Sequence, residues 1–296
     1  TFMKNDIDIE NFSYLVRLFS TKMYKELLQN KSSKIFDEII RNTNILNNIS
    51  YNCSLKEVLD IAYNILLKKY RCEYVYKNII VNKIVLGKHS SSNSFIINEL
   101  PVYNCKADSV VLNGTSTVYE IKTKYDNLER IERQVNAYEK AFDKINIVID
   151  SDDSKSNNLT KILPKNVGIL VMGMNGEMSE YKKAVSNKAH IDNDIIFNIL
   201  HKNEYISILR SNGFIVSDIP NMKIHRECKE MFSTLSKEVA HKEMVSALKK
   251  RGKPLSEFIF NIPESLKAVA LKNCFTKNER MNFIDMLNLP ICEVLN

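Results

Sequence analysis

Apolar residues in the first 85 positions recur at helical spacing. Leu55, Val58, Leu59, Ala62, Ile65 and Leu66 step by three and four, which predicts an amphipathic helix with one buried stripe. Ser54 followed by Glu57 has the capping-box spacing, so that helix is expected to start at Leu55. The run GKHSSSNS, residues 87–94, has nothing to bury and reads as a loop. Beyond it the period changes. FIINELPVYN, KADSVVL, STVYEIK and INIVID are dense in β-branched and aromatic residues and predict strands. Asn113-Gly114, between the second and third, is a hairpin signal because both residues tolerate positive φ. Leu128, Ile131, Val135, Tyr138 and Phe142 then mark a helix, with Asp126 and Glu129 spaced as its N-cap and reciprocal partner. INIVID suits a crossover returning to the sheet interior, SDDSKSNN reads as an exposed loop, and VGILVMG as a further strand. From Asp192 the helical period returns in IIFNILHKNEYISILRS and CKEMFSTLSKEVAHKEMVSALKKRG. The pattern divides the chain into a helical region 1–86, an α/β core 87–185 and a helical region 186–296.

Composition narrows this little. With 44% hydrophobic and 26% charged residues, the 296-residue chain is neither disordered nor fibrous in type. No apolar run approaches the ~20 residues that span a bilayer, and the opening residues lack a basic segment followed by an apolar block, so no membrane and a cytoplasmic location are expected. Six cysteines without a CxxC pair read as reduced thiols. The net charge of +7 favours a polyanionic partner, although a compositional bias towards Lys, Asn and Ile would produce it equally. His225 and Cys228 lack the second ligand pair of a zinc site, and neither a GxSxG elbow nor a Walker A loop occurs.

The chemistry gathers around the hairpin. With its loop centred on Gly114, residues whose numbers sum to 228 face each other, which sets Asp108 opposite Glu120. Two carboxylates side by side repel, so a cation is wanted between them. Lys122 supplies one. Residues two apart on a strand share a face, so Glu120 and Lys122 project together while Ile121 points the other way. The remaining negative charge and oxygen ligands suit a hard divalent ion, Mg2+, with Mn2+ as its substitute.

Asp108 in CKADSVV followed by Glu120-Ile121-Lys122 resembles the PD-(D/E)xK nuclease superfamily, and Gln134 and Tyr138 in QVNAY resemble the QxxxY motif of its RecB-like branch. Roughly residues 95 to 172 look most like a largely uncharacterised bacterial nuclease-like family. This resemblance implies a restriction-endonuclease-like mixed sheet core (αβββαβ) flanked by the helical regions. It implies a metal held by Asp108, Glu120, the Ile121 carbonyl and Glu99, with Lys122 activating water and Gln134 positioning the site. The proline of the motif's name is absent, since Ala107 precedes Asp108.

Plainer readings stand beside these. As a bare pattern Asp108, Glu120 and Lys122 read as a solvated ion pair, and the surrounding hairpin, helix and returning strand favour the site; Tyr138 reads first as a core aromatic and second as a substrate contact. Arg130, Arg133, Lys140 and Lys144 either contact phosphates or form an exposed face; Lys124 shares the face of Lys122 if the strand continues, which makes it a substrate contact. The resulting expectation is a metal-dependent nuclease acting on DNA, with RNA as the other substrate, in repair, restriction or phage defence. The alternative is an inactive nuclease-like module that binds nucleic acid or protein. A dimer is left open.

Overall fold

The computed structural model describes residues 9–43, 45, 52–85, 94–151, 155–216, 219–251, 256–273 and 275–295. The expected loop at 87–94 lies outside these residues except for Ser94. The chain divides into two compact units, one of residues 1–87, 174–177 and 255–296, the other of 88–173 and 178–254.

The first unit is helical: α1 (Ile9–Val16), α2 (Thr21–Asn30), α3 (Lys34–Asn42), α4 (Leu55–Lys69) and α5 (Glu73–Ile80). Four short C-terminal helices fall in the same unit: Ser256–Asn261, Lys267–Lys272, Lys277–Leu287 and Ile291–Val294. Helix α4 begins where its capping box places it. Ser54 Oγ accepts the Glu57 amide (3.3 Å) and Glu57 Oε2 accepts the Ser54 amide (2.7 Å), satisfying two of the donors every helix start leaves open. Its apolar stripe, Leu55, Val58, Leu59 and Leu66, is fully buried.

The second unit is a mixed α/β fold on a six-stranded sheet: β1 (Phe95–Val102), β2 (Cys105–Leu112), β3 (Ser116–Lys122), β4 (Lys144–Asp150), β5 (Gly168–Met172) and β6 (Met178–Lys182), ordered in space as in sequence. The first three strands are antiparallel neighbours, β3–β4–β5 are parallel, and β6 is antiparallel to β5. The parallel centre follows from two helical crossovers, α6 (Ile131–Glu139) and α7 (Lys155–Ile162). Every residue of β4 after Lys144 is buried, as expected of a strand covered on both faces. Four helices follow β6: α8 (Asn193–Ile199), α9 (Lys202–Ser211), α10 (Ile224–Ser233) and α11 (Lys237–Lys250). Val110, Val118, Ile147, Val135, Phe142 and Phe197 belong to one continuous core in this unit.

Several local expectations need correction. The polar run SDDSKSNN is not all loop: residues from Lys155 on are helical, held where Leu159 and Leu163, one helical turn apart, both bury, while 152–154 lie outside the described residues. Asp126 does not cap α6, which starts at Ile131 after Arg130; its Oδ2 instead accepts the Thr123 amide (2.8 Å) and hydroxyl (2.7 Å), closing a turn. The long helical patterns after Asp192 each break in two. Strand β6 carries no apolar alternation to announce it, since its middle three residues are exposed along the sheet edge.

Candidate functional site

The β2–β3 hairpin turns at Gly114, whose φ of 71° suits glycine, and its register runs through Ser109 opposite Tyr119 and Val110 opposite Val118. That register sets Asp108 beside Glu120 one step past the last paired residues. There the ladder is replaced by a side chain: Asp108 Oδ2 accepts the Ile121 amide at 2.8 Å. A strand residue's N–H and C=O leave on the same side, so the Ile121 carbonyl also faces β2.

Glu120 and Lys122 share the face that looks at α6, where Gln134 and Tyr138 stand one turn apart. Lys122 Nζ donates to Glu120 Oε1 (3.0 Å) and to Gln134 Oε1 (2.9 Å). Gln134 Nε2 donates to the same Glu120 Oε1, so one amide bridges the two charges. The Tyr138 hydroxyl lies 2.7 Å from Glu120 Oε2 and 2.9 Å from the Lys106 carbonyl, and its single proton goes to the carboxylate as the stronger acceptor. Burial, and then the neighbouring charge of Glu120, push the Tyr138 hydroxyl far above its usual range, so it remains a donor. Glu120 is 2% exposed and Lys122 8%, whereas Asp108 and Gln134 are half-buried and form the open side of the cluster.

The β1–β2 register sets Glu99 across from Asp108, and Lys124, Arg130 and Arg133 lie outside the strands. Glu99 lies in β1 where the pairing of Asn98 with Ser109 and Leu100 with Ala107 skips one position; its φ is 59°, and its carboxylate pairs with Lys106 Nζ at 2.8 Å. Lys106 therefore holds both Glu99 and, through its carbonyl, Tyr138, a role that an exposed strand lysine does not advertise in sequence. Lys124 is not on the strand face of Lys122, because β3 ends at Lys122; it is exposed in the following turn with its ammonium 5.1 Å from the Tyr125 ring centroid. Arg130 and Arg133 are exposed at the start of α6. The thiols Cys53, Cys72, Cys105, Cys228 and Cys292 are free, while Cys274 lies outside the described residues. His225 is exposed and packs edge-on to the buried Phe197 (5.2 Å between centroids).

Asp108, Glu120 and Lys122 sum to one net negative charge. Among the described residues no three His, Cys, Asp or Glu side chains converge as a metal cage. Two carboxylates and a carbonyl remain a donor set that Mg2+ accepts, since it keeps several waters and needs only one or two protein carboxylates. No helix among the described residues is long and apolar enough to cross a membrane.

Comparison with known proteins overturns the nuclease assignment. The family described as Bacteriophage P4 protein cII matches residues 66–273. Protein cII of Enterobacteria phage P4 is 26% identical over 165 residues, covering 54% of this chain and 60% of that protein. The chain thus spans about three fifths of the length of this relative. No solved structure matches. The resemblance to the PD-(D/E)xK superfamily and the hydrolytic activity inferred from it are therefore withdrawn, and the alternative of an inactive nuclease-like module gains no clear support. A carboxylate, an ExK triplet and a QxxxY helix require only one hairpin and one helix, too little chain to fix a family. Matched across more than two thirds of its length, the chain belongs to the bacteriophage P4 protein cII family.

Proposed function

We propose that this cII-family protein binds one divalent cation, Mg2+ or Mn2+, at Asp108 and Glu120, and that the cation displaces the Lys122 ammonium towards a phosphate-bearing partner. The observation that carries this reading is the sharing of Glu120 Oε1 between Lys122 and Gln134, beside a half-buried Asp108. Glu120 already holds a cation, the ammonium, in a site with a second carboxylate close by and the Ile121 carbonyl on the same side. A divalent ion can be ligated by both carboxylates at once, whereas the ammonium is bonded to Glu120. Released Lys122 then offers three donors as a mobile point charge, the form in which lysine meets phosphate. The net charge of +7 favours nucleic acid as that partner, DNA first and RNA second.

Isothermal titration of the full chain with Mg2+ and Mn2+ tests the cation site. Wild type is expected to bind one ion, and Glu120→Gln, which keeps the shape but not the charge, to lose at least tenfold in affinity. Absence of saturable heat in wild type, or unchanged binding in the variant, would overturn the reading.

A further inference from the structure

We infer that the partner is a single-stranded nucleic acid whose bases stack on Tyr103 and Tyr125, two exposed rings at the sheet edge where the Glu120–Lys122 cluster opens. This inference identifies the phosphate-bearing partner and rests on the preceding reading only for the direction in which Lys122 moves.

Topology puts the two tyrosines together. Strand β1 ends, β2 begins and the parallel strands β3 and β4 end at one edge of the sheet, the carboxyl edge where open α/β sheets place their ligands. Tyr103 occupies the two-residue tip between Val102 and Cys105, three positions before the Lys106 carbonyl that touches Tyr138. Tyr125 follows Lys122 by three positions. They are 67% and 54% exposed. The other exposed tyrosine described in this unit, Tyr181, lies on β6 near its Lys182 end, towards the opposite edge.

Both tyrosines sit in defined turns. Tyr103 has φ of 51° while Asn104 is not among the positive-φ residues, the sign pattern of a type II′ turn, whose first central position ordinarily takes glycine. A bulky side chain there is strained. Tyr125 is fixed by a compact turn: its amide donates to Thr123 Oγ1 (3.2 Å), and that hydroxyl donates to Asp126. The Lys124 ammonium over the Tyr125 ring adds a charge beside a flat apolar surface.

The charges decide against a duplex. Lys106 is paired with Glu99, and the segment that carries Lys124, Arg130 and Arg133 also carries Asp126, Glu129 and Glu132, so its sequence lacks the unbalanced basic stripe that tracks a double helix. A duplex also hides its base faces, whereas a single strand presents them, and stacking on tyrosine works for any base. The expected binding is therefore stacking-led and only shallowly dependent on salt.

Fluorescence anisotropy of the full chain with a mixed-sequence single-stranded DNA, the same RNA and the DNA duplex, with Mg2+ present, tests this. At least one single strand should bind more tightly than the duplex. Tyr103→Ala and Tyr125→Ala should each weaken it on the order of tenfold, and Tyr→Phe at either position should restore it. The two single-strand arms name the sugar. Duplex binding equal to or tighter than both single strands, alanine variants that bind like wild type, or no binding to any of the three would overturn the inference. The calorimetric Mg2+ titration separates the two ideas. Saturable Mg2+ binding without single-strand binding defeats this proposal alone, and tyrosine-dependent binding without a cation site defeats only the preceding one.

Discussion

Strand β3 carries a buried polar network at each end, and the two are built on opposite principles. At its start Ser116, wholly buried, has its Oγ 2.7 Å from His241 Nε2 and accepts the Asp143 amide at 3.1 Å. The Asp143 carboxylate takes hydroxyl protons from Ser186 and Thr115, and its carbonyl takes the Asn187 amide at 2.7 Å. Most of these donors are neutral, and they tie together the β2–β3 loop, β3, α11 and the segment after β6. At its end Glu120 and Lys122 face each other as full charges, bridged by one amide, with Asp108 half in solvent. A network of hydroxyl and backbone donors has no component to give up. An ion pair beside a second carboxylate has one. The first is built to stay, and the second is the one we propose to exchange.

The largest difference should appear on removing a carboxylate from the stable end. Asp143→Ala deprives two hydroxyls of their acceptor and His241 of its nearby negative charge, and is expected to cost about 3 kcal/mol in urea unfolding. A loss under about 1 kcal/mol would erase the contrast between the two ends.

A smaller effect follows from pH. Burial holds His241 below its usual pKa, opposed in part by Asp143, so the native state favours the neutral imidazole. That neutral ring shares one proton with the Ser116 hydroxyl through Nε2 in either tautomer. A depressed histidine pKa means the unfolded chain binds the proton first as pH falls below about 6.5, so stability rises with pH there and is lost on acidification, by at most about 1.4 kcal/mol per pH unit. Asp143 acts in the same direction at lower pH: burial raises its pKa, but the bonds from Ser186 and Thr115 and the charges of Lys188 and His241 outweigh that and leave it depressed. In His241→Gln the slope between pH 5 and 6.5, the range about one unit either side of which histidine titrates, should flatten. An unchanged slope would place the titrating group elsewhere.

The exchanging end was the more legible in sequence. Asn113-Gly114 gave the register, strand alternation put Glu120 and Lys122 on one face, and helical spacing put Gln134 with Tyr138; these are local rules that a hairpin and one helix obey almost without regard to the rest of the chain. The stable end was invisible because Ser116, Asp143, Ser186 and His241 are joined only by tertiary packing. The geometry around Glu99 was also hidden, since the skipped pairing and left-handed backbone that turn it towards Lys106 leave no mark in an alternating pattern. Strand β6 and helix α7 were missed for the same kind of reason: an edge strand needs no apolar alternation, and a short polar helix can be held by two leucines. The same local rules that located the cluster pointed to the wrong family, because they describe how a hairpin and helix arrange side chains and not what the arrangement is for.

The claim that Lys122 and a divalent ion compete for Glu120 is tested most directly by titrating Lys122→Met with Mg2+. Methionine keeps the length of the stem and removes the competing charge, leaving a buried carboxylate without its cation. With folding verified by circular dichroism, the variant should bind Mg2+ several-fold more tightly than wild type and gain more thermal stability from it. Weaker or unchanged Mg2+ binding would contradict exchange and leave the Lys122–Glu120 pair as a fixed part of the fold.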